Sequence, residues 1–138
     1  MRNKNLDIGL LLVRVGMGII FLFHGFPKIT GGVEYWDGLG KAMGFIGIHV
    51  FPAFWGFMAA VAEFGGGLCL IFGIFFRTAM GMMFFTMFMA TIFHLGSGDG
   101  FSIYAHALED AILFLALLFT GPGIYSLQQK LPEKFRNI

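Results

Sequence analysis

The stretch LDIGLLLVRVGMGIIFLFHGFPK, from Leu6 to Lys28, decides the fold. Its apolar run exceeds the ~20 residues with which a helix crosses the ~30 Å hydrocarbon core of a bilayer. It follows the basic start MRNKN and so imitates a secretory leader. A leader's apolar region is shorter, however, and ends in a small-x-small cleavage site, whereas this run carries Arg14 in its middle and has no such site. It reads as a retained first span.

Outward from it, apolar windows recur at about 52–75, 77–97 and 102–121, each long enough to span. The breaks agree: Pro27 with Gly31-Gly32 closes the first window, Pro52 opens the second and Arg77 punctuates a tight turn. Gly96 to Gly100 is a second turn, and Gly121-Pro122-Gly123 ends the last window. Of 138 residues, 57% are hydrophobic and 12% charged, with a mean hydropathy of +0.80. Soluble domains carry about 25% charged residues, so this composition predicts an integral membrane protein. Four spans use most of the length, and residues 1–138 read as a single domain.

A net charge of +1 gives no footprint for nucleic acid. One cysteine, Cys69, cannot close an intrachain disulfide and excludes paired-thiol redox chemistry. Any redox role then needs a bound cofactor or a partner. With four spans both termini share a side with the turn at Arg77, and that side holds Arg2, Lys4, Arg77, Lys130, Lys134 and Arg136 against Lys28 and Lys41 opposite. The positive-inside rule makes it cytoplasmic. The segment from Tyr35 to Ile48 has an apolar face with aromatics at its start, which fits a short interfacial or re-entrant helix capping the outer end; a plain loop is the alternative. The expected fold is therefore an all-α membrane protein, an antiparallel four-transmembrane-helix bundle with a short outer interfacial helix.

Arg14, His24, Glu63, His94, His106, Glu109 and Asp110 sit inside the hydrophobic windows. A charge in hydrocarbon costs at least ~2.5 kcal/mol unless it finds a partner or water, so such residues mark either a structural pair or a site. At 1.5 Å rise per residue, His24, His94 and His106 lie about 5–7 Å inside the outer ends of three different spans. His49, in the outer segment, is placed to close over them. Glu109 and Asp110 follow His106 by three and four residues and share roughly one helix face with it. Glu63 is about 16 Å deep, and Arg14 enters from the inner side with a long side chain. A network of Arg14, Glu63, His94, His106 and Glu109 lowers the cost of burying each member. Within it, Arg14 and Glu63 read as an ion pair that sets span register, or as part of the site. His24 either donates to a backbone carbonyl near Pro27 or joins the ligand-binding residues His94, His106, Glu109 and Glu63. Three titratable groups at one depth can hold a proton, a metal or a quinone carbonyl.

Metal is weakly signalled, since no ligand pair has HExxH spacing, and no metal site is assigned. The methionines Met80, Met82, Met83, Met87 and Met89 are spread round their helix and read as packing rather than a soft-metal path. Gly65-Gly66-Gly67 lacks the preceding strand and following Lys of a phosphate loop and reads as close helix packing.

In order along the chain, Arg14, Phe23-His24-Gly25 with Lys28, Ala62-Glu63-Phe64-Gly65-Gly66, Gly73, Arg77, His94, Ala107-Leu108-Glu109 and Gly121-Pro122-Gly123-Ile124-Tyr125-Ser126-Leu127 resemble the DoxX family of small bacterial four-span membrane proteins. Gln128 departs from that pattern, which often has Asp after the terminal Ser-Leu. The resemblance implies a multi-pass protein of the bacterial plasma (inner) membrane with cytoplasmic termini and lipid as its first partner. The family name is tied to thiosulfate:quinone oxidoreductase subunits, and relatives to redox stress or quinone and catechol handling. The implied function is a redox-associated subunit whose outward cavity holds a quinone-like ligand. No motif encodes a cofactor, so electrons require a redox partner protein, and the chain reads as a subunit of a quinone-linked oxidoreductase or as a homo-oligomer rather than a stand-alone enzyme. A non-enzymatic transporter, assembly or stress-protection protein is the alternative.

Overall fold

The computed structural model describes residues 3–133. Arg2, Lys134 and Arg136, which enter the charge asymmetry, lie outside the described residues. Five α-helices follow one another: α1 Lys4–Ile29, α2 Val33–Gly40, α3 Pro52–Phe72, α4 Phe76–Gly96 and α5 Phe101–Thr120. A 3₁₀ segment, Lys41–Ile46, continues α2, and a 3₁₀ turn, Leu127–Lys130, follows α5. The described residues contain no strand. Helices α1, α3, α4 and α5 are long and apolar enough to span a membrane, as the apolar windows predict.

Local chemistry sets the helix ends. Asn3 caps α1 by accepting from the Asn5 amide at 3.0 Å. Pro27 does not stop α1, which runs two residues further; in the last turn proline removes one hydrogen bond. The Thr30 hydroxyl and the Trp36 indole occupy other end carbonyls, donating to Phe26 O at 2.8 Å and Lys28 O at 2.8 Å. Helix α3 begins on Pro52, where a missing N–H costs nothing, and ends on Gly73 at φ +63°. The expected outer helix is real, but it starts earlier, at Val33, and relaxes to 3₁₀ geometry after Gly40.

Helices α1 and α3 pack antiparallel, with Gly18 against Gly67 and Gly25 against the backbone of Phe64. Helix α2 lies on the start of α3 so closely that a side chain at Gly56 would strike the Trp36 carbonyl. Phe21, Leu70, Phe76, Met80, Met83, Met87, Phe114 and Leu117 form the buried core, so these methionines do pack. Leu12, Ile19, Phe23, Phe72, Phe88, Ile112 and Phe119 are exposed on the outside, the arrangement of a bundle whose solvent is lipid.

Arg14 is almost completely buried, and its partners correct the expected ion pair with Glu63. Nε donates to Leu70 O at 3.0 Å, Nη2 to Ile71 O at 3.1 Å, and Nη1 to Pro122 O at 2.6 Å and Tyr125 O at 3.2 Å. These are carbonyls that the end of α3 and the segment after α5 leave without helical donors, and the five-donor guanidinium suits them. Leu70 lies seven residues beyond Glu63, about 10 Å along α3, which puts the carboxylate out of reach. Arg14 staples the terminal end of the bundle. Asp7, which the inventory of charges left out, is buried there too and accepts from the Ile124 amide at 3.3 Å. Gln128 completes the staple: its Oε1 accepts from Phe76 N at 3.0 Å, capping α4, while its own N–H donates to Gly73 O at 3.0 Å. The amide oxygen thus performs the helix-capping work a carboxylate at this position would do.

Candidate functional site

At the end opposite the termini, the bundle holds a cavity of about 1290 Å³ that is partly open to the outside. Its roof is α2 with the 3₁₀ segment. Helix α2 rests on α3, and Phe45 of the 3₁₀ segment meets Phe93 of α4 edge-to-face at 5.7 Å. At its inner end lies Phe21, which packs edge-to-face on Phe114 with ring centroids 4.9 Å apart. Methionines and aromatics make up much of the wall, among them Met58, Met82, Met87 and Trp55.

The polar groups on that wall come from every helix. Lys28 Nζ donates to both oxygens of Glu63, at 2.6 and 2.7 Å. Because Gly25 sits against Phe64, the antiparallel helices bring Lys28 one turn from Glu63, so the cation for Glu63 comes from the outer end of α1 and not from Arg14. His94 Nδ1 lies 2.7 Å from Asp99 Oδ2, a contact that joins the end of α4 to the turn after it. His24 on α1, and His106 and Asp110 on α5, line the cavity as well. Among the described residues these three side chains make no hydrogen bond or ion pair. His24 and His106 are exposed and Asp110 is half-buried on that wall.

Of the residues expected in the site, His24, Glu63, His94 and His106 line the cavity. Glu109 does not. It is exposed on the outside of α5, and Asp110 takes the place expected for it. The inner face of α5 runs through Ala107, Ala111 and Phe114; Asp110 precedes Phe114 by four residues and shares that face, while Glu109 precedes it by five and turns away. His49 is exposed beside Gly44 and does not close over the cavity. Lys28 and Glu34 line it without having been assigned a role from sequence. Spacing to Ala107, Ala111 and Phe114 on the inner face of α5 was the signal that could have found Asp110. No comparable signal existed for Lys28, whose partner is 35 residues away. Among the described residues no group of three or more His, Cys, Asp or Glu is placed to hold a metal ion.

Comparison with known proteins decides the family. The DoxX sequence pattern matches residues 9–96, from within α1 to the end of α4. The chain belongs to the DoxX family. It is 35% identical to the inner membrane protein YqjF of Escherichia coli (strain K12) over 132 residues, 94% of this chain and 96% of YqjF. It is 30% identical to the inner membrane protein YphA of the same organism over 129 residues, 88% of this chain and 89% of YphA. CatD of Bacillus subtilis (strain 168), named a putative oxidoreductase, is 38% identical over 82 residues, 59% of this chain and 55% of CatD. No solved structure matches the chain. This DoxX protein is embedded in a membrane through four helices, and the YqjF similarity extends across α5.

Proposed function

We propose that this DoxX protein is a redox-associated membrane subunit that holds a quinone-like ring in the cavity. The observation that carries the reading is that His24, His106 and Asp110, which make no hydrogen bond or ion pair among the described residues, line a largely apolar cavity beside the Lys28–Glu63 pair. A few convergent polar groups in an apolar pocket fix the orientation of a ring with polar edges. An imidazole at His106 donates to a ring carbonyl, and Asp110 passes a proton to the oxygen as it is reduced. Full reduction takes two electrons and two protons; the cavity wall supplies a route for protons, and a redox partner protein supplies the electrons, since this chain carries no cofactor motif. The name of the Bacillus relative, which this chain covers over about half its length, supports the redox direction.

The same reading places the protein in the bacterial inner membrane with both termini in the cytoplasm and the cavity in the outer half of the bilayer. Lys4, Arg77 and Lys130 at the terminal end support it against Lys28 and Lys41 at the other.

The test is purification followed by solvent extraction and chromatography of what co-purifies, with benzoquinone binding measured on the native chain and on His106→Ala and Asp110→Asn. Binding by the native chain and loss in both folded variants is expected. A native chain that carries and binds no ring overturns the reading. A chain that binds a ring but never exchanges electrons with any partner fits the transporter or protective alternative instead.

A further inference from the structure

The outer halves of α1 and α5 barely touch. Below, Phe21 and Phe114 close the gap between these helices. Above it the roof leans on α3 and α4 and is tied to α1 by the Trp36–Lys28 hydrogen bond. Between the two, Ile20 of α1 and Ile103 of α5 both line the cavity while remaining 48% and 50% exposed. A side chain that borders a cavity and the outer surface at once marks a place where the two connect; Tyr35 and Phe85 qualify too, and between α1 and α5 such residues stand on two spans in little contact. Ile20 lies about 14 Å inside the outer end of α1, so what stands outside it is lipid, and Ile103 lies in the first turn of α5, nearer the surface of the bilayer.

We infer that the cavity opens sideways into the bilayer between α1 and α5, and that its ligand is an amphiphile whose ring enters the cavity while its hydrocarbon tail lies in this gap. The inference rests on the proposed ring-binding cavity and adds the ligand class and the route. Three observations argue for a tail. The cavity, at about 1290 Å³, is larger than the ~300–1,000 Å³ of pockets that enclose drug-sized ligands, leaving more room than a ring head needs. At the gap itself His24 on one helix and His106 with Asp110 on the other stand beside the apolar Ile20 and Ile103, so a molecule in the gap meets polar groups at its head and apolar ones along its length. A ligand entering here never leaves hydrocarbon until its head reaches the rim, so the tail is not desolvated into water at any stage.

The test places a bulky maleimide adduct in the gap. Ile20→Cys and Ile103→Cys are made singly in the Cys69→Ser chain, and Ile112→Cys, exposed on α5 away from the cavity, is the control. In nanodiscs, quenching of Trp55, which lines the cavity, reports binding of a decyl-tailed benzoquinone and of the same ring without its tail. Adducts at positions 20 and 103 are expected to weaken the tailed ligand about tenfold or more while moving the bare ring less than about twofold, and the adduct at 112 to change neither. Equal binding of the tailed ligand with and without the adducts overturns the side opening but leaves the ring site standing. Equal loss of both ligands overturns the role given to the tail. Failure of either ligand to bind the unlabelled chain removes the ring site itself, and this inference with it.

Discussion

The Lys28–Glu63 pair is the most exposed point of the reasoning, because a double-mutant cycle separates it from the pairing that the sequence suggested. The carboxylate of Glu63 is 3% exposed and the side chain of Lys28 23%. Removing one partner of a buried pair costs about 3–5 kcal/mol, and the partial exposure of Lys28, which regains some hydration, argues for the lower end, about 3 kcal/mol for Glu63→Gln. For a chain of this length that is a drop in Tm on the order of 10 °C. Lys28→Met leaves the more deeply buried carboxylate alone and should cost at least as much. The combined Lys28→Met, Glu63→Gln chain should cost about as much as one of them, a coupling of about 3 kcal/mol. Arg14→Gln, which loses its own four carbonyl partners, should add to Glu63→Gln within about 0.5 kcal/mol, since the two groups lie too far apart to interact. Thermal unfolding in detergent, followed by size-exclusion chromatography after heating, measures every corner. Additive losses at positions 28 and 63, or strong coupling between 14 and 63, would refute the arrangement.

Other expectations are simpler. Gly56→Ala drives a methyl into the Trp36 carbonyl, where backbone stands on both sides and cannot yield, so a loss of about 1–3 kcal/mol is expected; Gly9→Ala, with open space at its Cβ, should be neutral or slightly stabilising by the same melting assay. Gln128→Leu keeps bulk but removes the acceptor for Phe76 N, and should cost about 1–3 kcal/mol and increase protease cleavage after α5; an unchanged melting point would deny the staple its role. In a Cys69→Ser chain, Ser97→Cys should react with an impermeant maleimide in intact cells. Protection there, with labelling of a cysteine at the termini, would invert the proposed orientation.

The four spans were legible in the sequence because apolar length is a one-dimensional property: a helix either has enough consecutive apolar residues to cross the core or it does not. The cap from Val33 to Ile46 was legible for a related reason, since its apolar face recurs at helical spacing between two breaks. Depth was legible as well. Counting residues from the span ends placed His24, His94 and His106 near one level, and all three do line the cavity. Direction round each helix was much less so. Glu109 and Asp110 are adjacent, equally polar and at almost the same depth, and nothing in their own identity says which faces in; only the neighbours Ala107, Ala111 and Phe114 turn the helix the right way.

Pairing was hardest to read, and the case of Arg14 shows why. A buried arginine and a buried glutamate in adjacent spans suggest each other, because opposite charges in hydrocarbon are the familiar solution to the cost of burial. A guanidinium has a second solution in the carbonyl oxygens that helix ends leave unbonded, and Arg14 takes four of them from Leu70, Ile71, Pro122 and Tyr125. A lysine has fewer donors and a flexible stem, so Lys28 can reach inward from the end of α1 to a carboxylate on the neighbouring helix. The consequence is a division of the molecule into two polar regions with different uses. At the terminal end Arg14 and Arg77 spend donors on backbone carbonyls, and with Gln128 these bonds fix α1, α3, α4 and the segment after α5 to one another. At the other end Lys28–Glu63, Lys41–Asp37 and His94–Asp99 are paired, while His24, His106 and Asp110 line the cavity with no hydrogen bond or ion pair among the described residues, and a ligand has polar groups to meet there.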